Sequence, residues 1–153
     1  MDKLKKECSN RQEETIAKYL GWYKVSGSGS RPCKPGDIYN ETWLGECKTH
    51  IRFQNSIIFK FKEWDKINEE ATSQFKNAVL FVDNGTQLIE NTLCLLQISQ
   101  YKLLEDINLP IINTASIRYN SIANIDPQQF IRNDQILCVM PLVVFKQFIE
   151  IGE

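Results

Sequence analysis

The spacing of apolar residues along the chain switches between a helical period and a strand period, and the switches mark its elements. "NRQEETIAKYL", residues 10–20, predicts a helix. Asn10 is a fair N-cap, acids fill the first turn, and Ile16 and Leu20 share a face. Gly21 stops it. "WYKVS" is aromatic and β-branched, a strand pattern. "GSGSRPCKPG" has the glycines and prolines of a loop. "DIYN" and "TWLGECKTH" predict two strands folded about a tight turn at Asn40-Glu41. "IIFKFKEWDKINEEATSQF" begins apolar and becomes helix-periodic, with Phe61, Trp64, Ile67 and Ala71 on one face. "NAVLFVD" is the continuous apolar run of a buried strand, closed by the turn "DNG".

The second half carries a faint internal echo. "LCLLQISQYK" (93–102) and "LCVMPLVVFK" (137–146) share Leu-Cys, aliphatics and an aromatic-Lys pair at matching offsets. Each reads as a strand running into a helix. Between them, "INTASIRYNSIANIDPQQFIRND" is polar and Asn-rich, and reads as a long irregular connection of the kind that often carries function. The order predicts a mixed α/β domain, with helices flanking a central sheet.

A chain of 153 residues is most simply one domain, residues 1–153, with 42% hydrophobic and 24% charged residues. No apolar run approaches the ~20 residues that cross a bilayer, so no membrane partner is expected. "MDKLKKECSN" lacks the apolar core of a secretory signal. Five cysteines stand at 8, 33, 47, 94 and 138, none in CxxC-type spacing. Reduced thiols in a cytoplasmic compartment are the expectation, with Cys47, Cys94 and Cys138 in apolar runs as core residues.

The net charge of −1 does not advertise a nucleic-acid binder, but its distribution is uneven. From Lys24 to Lys62, seven basic residues face three acids, net +4, which leaves −5 for the rest. Arg31, Lys34, Arg52 and the lone histidine, His50, belong to this segment, which suits a local anion-binding face.

The candidate chemistry lies in "PGDIYNETWLGECKTH". Side chains two apart on a strand share a face, so Glu46 and Lys48 point one way and Cys47 the other. The turn brings Asp37 back beside Glu46. Two carboxylates meeting at a sheet edge repel each other unless a cation sits between them. Hard oxygen ligands favour Mg²⁺ or Mn²⁺. A half-exposed hairpin could carry the same charges as an ordinary polar face. Three neighbours tilt the balance toward chemistry: a basic Gly/Ser-rich loop before Asp37, an "EE" pair on the first helix, and apolar residues around an acid-then-lysine strand face. His50 continues that face at the next step, as a phosphate contact or an ordinary exposed residue.

"GDI…GECK" resembles the motif of the PD-(D/E)XK nuclease superfamily, with Gly36 where the motif's name has Pro. The helix with Glu, the strand, "SGSGS", then "GDI" and "ECK" resemble its Holliday junction resolvase branch, and similar small endonucleases occur in phages. The resemblance covers residues 10–83; residues 84–153 form a strand-helix extension that it leaves unexplained. It implies a restriction-endonuclease-like fold, a central mixed β-sheet flanked by helices. It implies that Asp37, Glu46 and the backbone carbonyl of Cys47 hold Mg²⁺ or Mn²⁺, and that Lys48 is catalytic. Glu13 on the first helix completes the site, with Glu14 as the alternative. Ser28 and Ser30 fall in a mobile loop that follows DNA. The implied activity is a Mg²⁺-dependent endonuclease for branched or four-way-junction DNA, working as a homodimer. A different nicking or repair nuclease of the superfamily, or an inactive DNA-binding or assembly module, are the alternatives.

Overall fold

The computed structural model describes residues 2–25, 34–98, 108–120 and 125–151. Its first element is a helix, α1 (Lys3–Leu20). Two short strands, β1 (Tyr23–Lys24) and β2 (Ile38–Tyr39), precede the longer β3 (Trp43–Lys48). β4 (Ile57–Lys60) runs directly into α2 (Phe61–Ser73), which leads to β5 (Asn77–Asp83). A 3₁₀ turn at Ile89–Asn91 opens β6 (Thr92–Gln97). β7 (Ser116–Tyr119), β8 (Gln128–Arg132), β9 (Gln135–Pro141) and α3 (Leu142–Glu150) follow.

Seven strands form one sheet in the order β1-β2-β3-β5-β6-β9-β8. β3 and β5 run parallel, joined by the α2 crossover, and the other pairs in this sheet are antiparallel. This is the central sheet flanked by helices that the order of elements predicts, and its mixed strand directions are those that the resemblance implies. β4 and β7 make a separate antiparallel ribbon.

Both faces of the sheet are covered. On one side, Leu44, Leu80, Val82, Leu93 and Leu95 pack against Phe61, Trp64, Ile67 and Ala71 of α2 and Ile57 and Phe59 of β4. On the other, Trp43, Cys47, Val79, Phe81, Cys94 and Cys138 meet Ile16 and Ala17 of α1 and Leu142 and Phe145 of α3. A strand buried on both faces has no polar side to present, which is why "AVLFV" of β5 is continuously apolar. Cys8, Cys47, Cys94 and Cys138 are buried free thiols. Among the described residues, no helix is long and apolar enough to cross a membrane.

α1 starts seven residues before the expected Asn10, with the Asp2 side chain capping the Leu4 N–H at 3.1 Å. Its first turns are exposed and charged, so they carry no apolar period. Gly21 ends it in the left-handed region, at φ 72°. The turn between β2 and β3 is closed by Asn40, whose Oδ1 accepts from the N–H groups of Thr42 and Trp43.

The irregular connection expected over 112–134 is corrected by the structure, which places β7 and β8 there. β7 alternates polar Ser116 and Arg118 outward with half-buried Ile117 and Tyr119 inward, but its partner among the described residues is β4, far away in sequence. β8 joins β9 through Asn133 and Asp134, with φ of 48° and 63°. Successive positive φ values at a two-residue Asn-Asp turn are a hairpin signature that the Asn-rich context hides. The two echo segments prove to be antiparallel neighbours, Leu96 opposite Cys138 and Leu93 opposite Pro141. The part of the first echo beyond residue 98 lies outside the described residues.

Phe81 stands at the centre of the second face, its ring edge-on to Trp22 at 6.0 Å and to Phe145 at 5.8 Å. Phe81→Ala is expected to cost about 3–5 kcal/mol, because the Trp22 and Phe145 rings cannot both follow it inward. Urea unfolding should show a lower midpoint with an unchanged slope. A loss below about 1 kcal/mol would mean that this face repacks freely.

Candidate active site

β2 and β3 place the acids by backbone pairing. Ile38 lies opposite Gly45, and the Asp37 N–H donates to the Gly45 carbonyl at 2.8 Å. The Asp37 carbonyl accepts from the Val25 N–H at 2.9 Å, so Asp37 is held from both sides. Its side chain then accepts the Cys47 N–H on Oδ2 at 2.8 Å. That bond sets the carboxylate beside the Glu46–Lys48 run.

Glycine is required on both sides of this junction. Gly36 adopts φ 72°, and a Cβ there would stand 2.6 Å from the Leu44 side chain. Proline, fixed near −65°, cannot take this conformation, so the Gly-for-Pro departure has a backbone reason. Gly45 lets β3 pass close over Phe81, whose ring would lie 2.7 Å from an added Cβ.

Glu46 and Lys48 share a face, as the strand period predicts, and pair at 3.2 Å between Oε2 and Nζ. Cys47 points the other way and is buried. Burial pushes its thiol well up, and Asp37, Glu13 and Glu46 push it further, which leaves it an inert core residue. The sequence left Glu13 and Glu14 open. Glu13 is 8% exposed and acts on Asp37, whereas Glu14 is exposed and pairs with Lys24 at 3.6 Å. The buried face of α1 runs through Gln12, Glu13, Ile16 and Ala17, and the turn of about 100° per residue carries Glu14 off it.

The electrostatics are those of crowded carboxylates. Asp37 is pushed up to about 8 by burial, then by Glu46 and Glu13, against the pull of the Cys47 N–H and Lys48. Glu13 is raised by burial and by Glu46, with Lys24 opposing. Burial pulls Lys48 down, but Glu46 and Glu63 outweigh it, and its net shift is upward. One lysine does not balance these acids. A proton on Asp37 or a cation between the carboxylates can. Asp37 and Glu46, with the Cys47 carbonyl, are the hard oxygen donors that could hold such a cation. Among the described residues, no three His, Cys, Asp or Glu side chains form a ready-made ion cage.

Two acids that the sequence did not single out arrive from α2. Glu63 Oε2 stands 3.8 Å from Lys48 Nζ. Glu70 is raised by burial and by Glu46, and the Gly36 N–H, which proline would lack, pulls it down. Glu63 and Glu70 are seven apart and so share a helix face, a spacing that the stronger apolar period of α2 masks in the sequence. Gln12 of α1 secures the end of β3: its Nε2 donates to the Lys48 carbonyl at 2.6 Å.

The expected extension of β3 to His50 is not found, because the strand stops at Lys48. The Thr49 hydroxyl is taken by Asp83, and Gln87 Nε2 donates to Thr49 Oγ1 at 2.9 Å and to the His50 carbonyl at 3.2 Å. These bonds turn the chain out of the sheet. His50 therefore leaves the Glu46–Lys48 face and is exposed, as are Arg52 and Lys34. Ser28, Ser30 and Arg31 lie outside the described residues.

No family model matches the chain, and no curated protein or solved structure is significantly similar to it. The geometry of the site carries the functional reading.

The Asp37 shift has a consequence for stability. The folded state keeps a proton near 8 that the unfolded chain releases near 3.8. Stability from that proton is complete below the lower value and is lost as pH rises through the upper one. Glu13, Glu70 and Asp83 are also raised and add slope of the same sign. In chelator, the melting temperature should fall between about pH 5 and about pH 9, and Asp37→Asn should flatten the fall. An identical slope in Asp37→Asn would show that this carboxylate is not strained.

Proposed function

We propose that this chain is a metal-dependent endonuclease of the PD-(D/E)XK type that hydrolyses DNA phosphodiester bonds. The observation that carries the reading is the junction of Asp37 with Glu46, Cys47 and Lys48, built by the Cys47 N–H on the Asp37 carboxylate. The element order supports it: a helix presenting Glu13, an antiparallel β1-β2-β3 unit, an α2 crossover, and β5 parallel to β3. That order resembles a restriction-endonuclease-like core.

Mg²⁺ or Mn²⁺, held by Asp37, Glu46 and the Cys47 carbonyl, would supply Lewis-acid stabilisation of phosphoryl charge and a water acidified for attack. Asp37 is oriented for this by the Cys47 N–H, and its proton must leave before a cation is bound, so metal affinity rises with pH. Lys48 carries a fixed positive charge on the same face. Placed at a non-bridging phosphate oxygen, it stabilises charge that grows as the bond breaks. Glu13 adds a carboxylate from the helix side. Lys34, His50 and Arg52 are exposed and would contact phosphates, and Ser28, Ser30 and Arg31, outside the described residues, are proposed for the same role from the sequence.

The finer proposal is branched DNA, a four-way junction cut symmetrically by a homodimer. It rests on the order of helix acid, strand, basic loop, Asp37 and Glu-Cys-Lys. Matched linear duplex, single-stranded, flap and four-way-junction DNA should be incubated with and without Mg²⁺. The junction should be cut by paired nicks, and chelator should abolish cutting. Asp37→Asn should lose cleavage and metal binding. Lys48→Ala should keep both ligands but cut slower by about 10²-fold or more. No cleavage of any substrate would sink the nuclease reading. Equal cutting of duplex and junction by a species of monomer mass would make it a general nicking enzyme instead.

A further inference from the structure

We infer that Glu63 of α2 is a positioning residue for Lys48, holding the ammonium in place when Glu46 is drawn toward a cation. This deepens the nuclease reading and rests on it for the meaning of Lys48, but not for the contact itself.

Lys48 Nζ stands between two carboxylates, Glu46 Oε2 at 3.2 Å and Glu63 Oε2 at 3.8 Å. The two acids belong to different elements and face different tasks. Glu46 neighbours Lys48 on β3 and also crowds Asp37. A divalent ion between Asp37 and Glu46 would compete with Lys48 for the same carboxylate, and its double charge would weaken the hold of Glu46 on the lysine. Glu63 lies on the first turn of α2, on a different element from Asp37 and Glu46, so a cation held by those two would not draw it off the lysine. The lysine side chain is 41% exposed, so packing alone does not restrain its four-carbon stem.

The placement has a cost that makes it informative. A carboxylate beside a phosphate-binding lysine repels the DNA backbone. An acid there weakens substrate binding, and its compensating benefit must come through the lysine. A helix-stabilising role at the first turn of α2 is the competing explanation, since an acid there also suits the helix dipole. The two differ in kinetics. A structural loss impairs binding and turnover together, whereas loss of a positioning acid lowers kcat while binding stays equal or tightens.

Glu63→Gln and Glu63→Asp should be compared with the wild-type protein in single-turnover cleavage with Mg²⁺, alongside melting temperature. Glu63→Gln is expected to lower kcat by about 10- to 100-fold, the scale of a misplaced reacting group, with KM unchanged or lower. Glu63→Asp should recover part of the rate. Unchanged kcat in Glu63→Gln, or a raised KM with a matching fall in melting temperature, would overturn the inference. A second readout is independent of cleavage. The ε-methylene of Lys48, followed by NMR relaxation after Mg²⁺ is added, should become more mobile in Glu63→Gln than in wild type. If the wild-type protein cuts no DNA, the nuclease reading fails and this mobility alone decides the clamp. Equal mobility in the two proteins overturns it.

Discussion

The bond from the Cys47 N–H to the Asp37 carboxylate ties the backbone of one strand to the side chain of its neighbour, and the site is assembled around it. β2 is only two residues long and cannot hold a register by ladder bonds alone. The pairing is secured at its ends, by Asn40 closing the turn and by Asp37 bonding both to Gly45 and to Cys47. Gly36 and Gly45 permit the close approach. Through this bond an acid is placed next to another acid on a strand whose opposite face is core.

That placement is electrostatically unfavourable. Burial and like charge push Asp37 up to about 8, while Lys48 answers with a positive charge shared between Glu46 and Glu63. Structural ion pairs are usually arranged to be satisfied; here the carboxylates outnumber the lysine. Perturbed carboxyl groups beside a paired lysine, at the end of a parallel strand pair, mark a candidate functional site, and the proposed phosphodiester chemistry is built on it.

The surrounding fold tolerates the strain because its apolar layers lie on both faces of β5. Trp64, Ile67 and Ala71 of α2 are fully buried against the sheet, which fixes that helix and so the position of Glu63. Beyond Lys48, the polar cluster of half-buried Thr49 with buried Asp83 and Gln87 ends β3 and leads the chain outward. The site thus sits between a rigid core and a satisfied polar turn.

Local pattern by itself determined a good part of this protein. Period two put Glu46 and Lys48 on one face and Cys47 on the other, the Asn40-Glu41 turn returned Asp37 to them, and the unbroken apolar run marked β5 as a strand covered on both sides. Only the tertiary structure decided the rest. Glu13 rather than Glu14 faces the site because the rotation of α1 is set by Ile16 and Ala17 packing on the sheet. Glu63 and Glu70 enter because α2 crosses from β3 to β5 at one angle. β7 is a strand because β4 is there to pair with it. Side-chain periodicity records which face a residue takes within its own element, whereas the approach of two elements depends on packing between residues far apart in the chain.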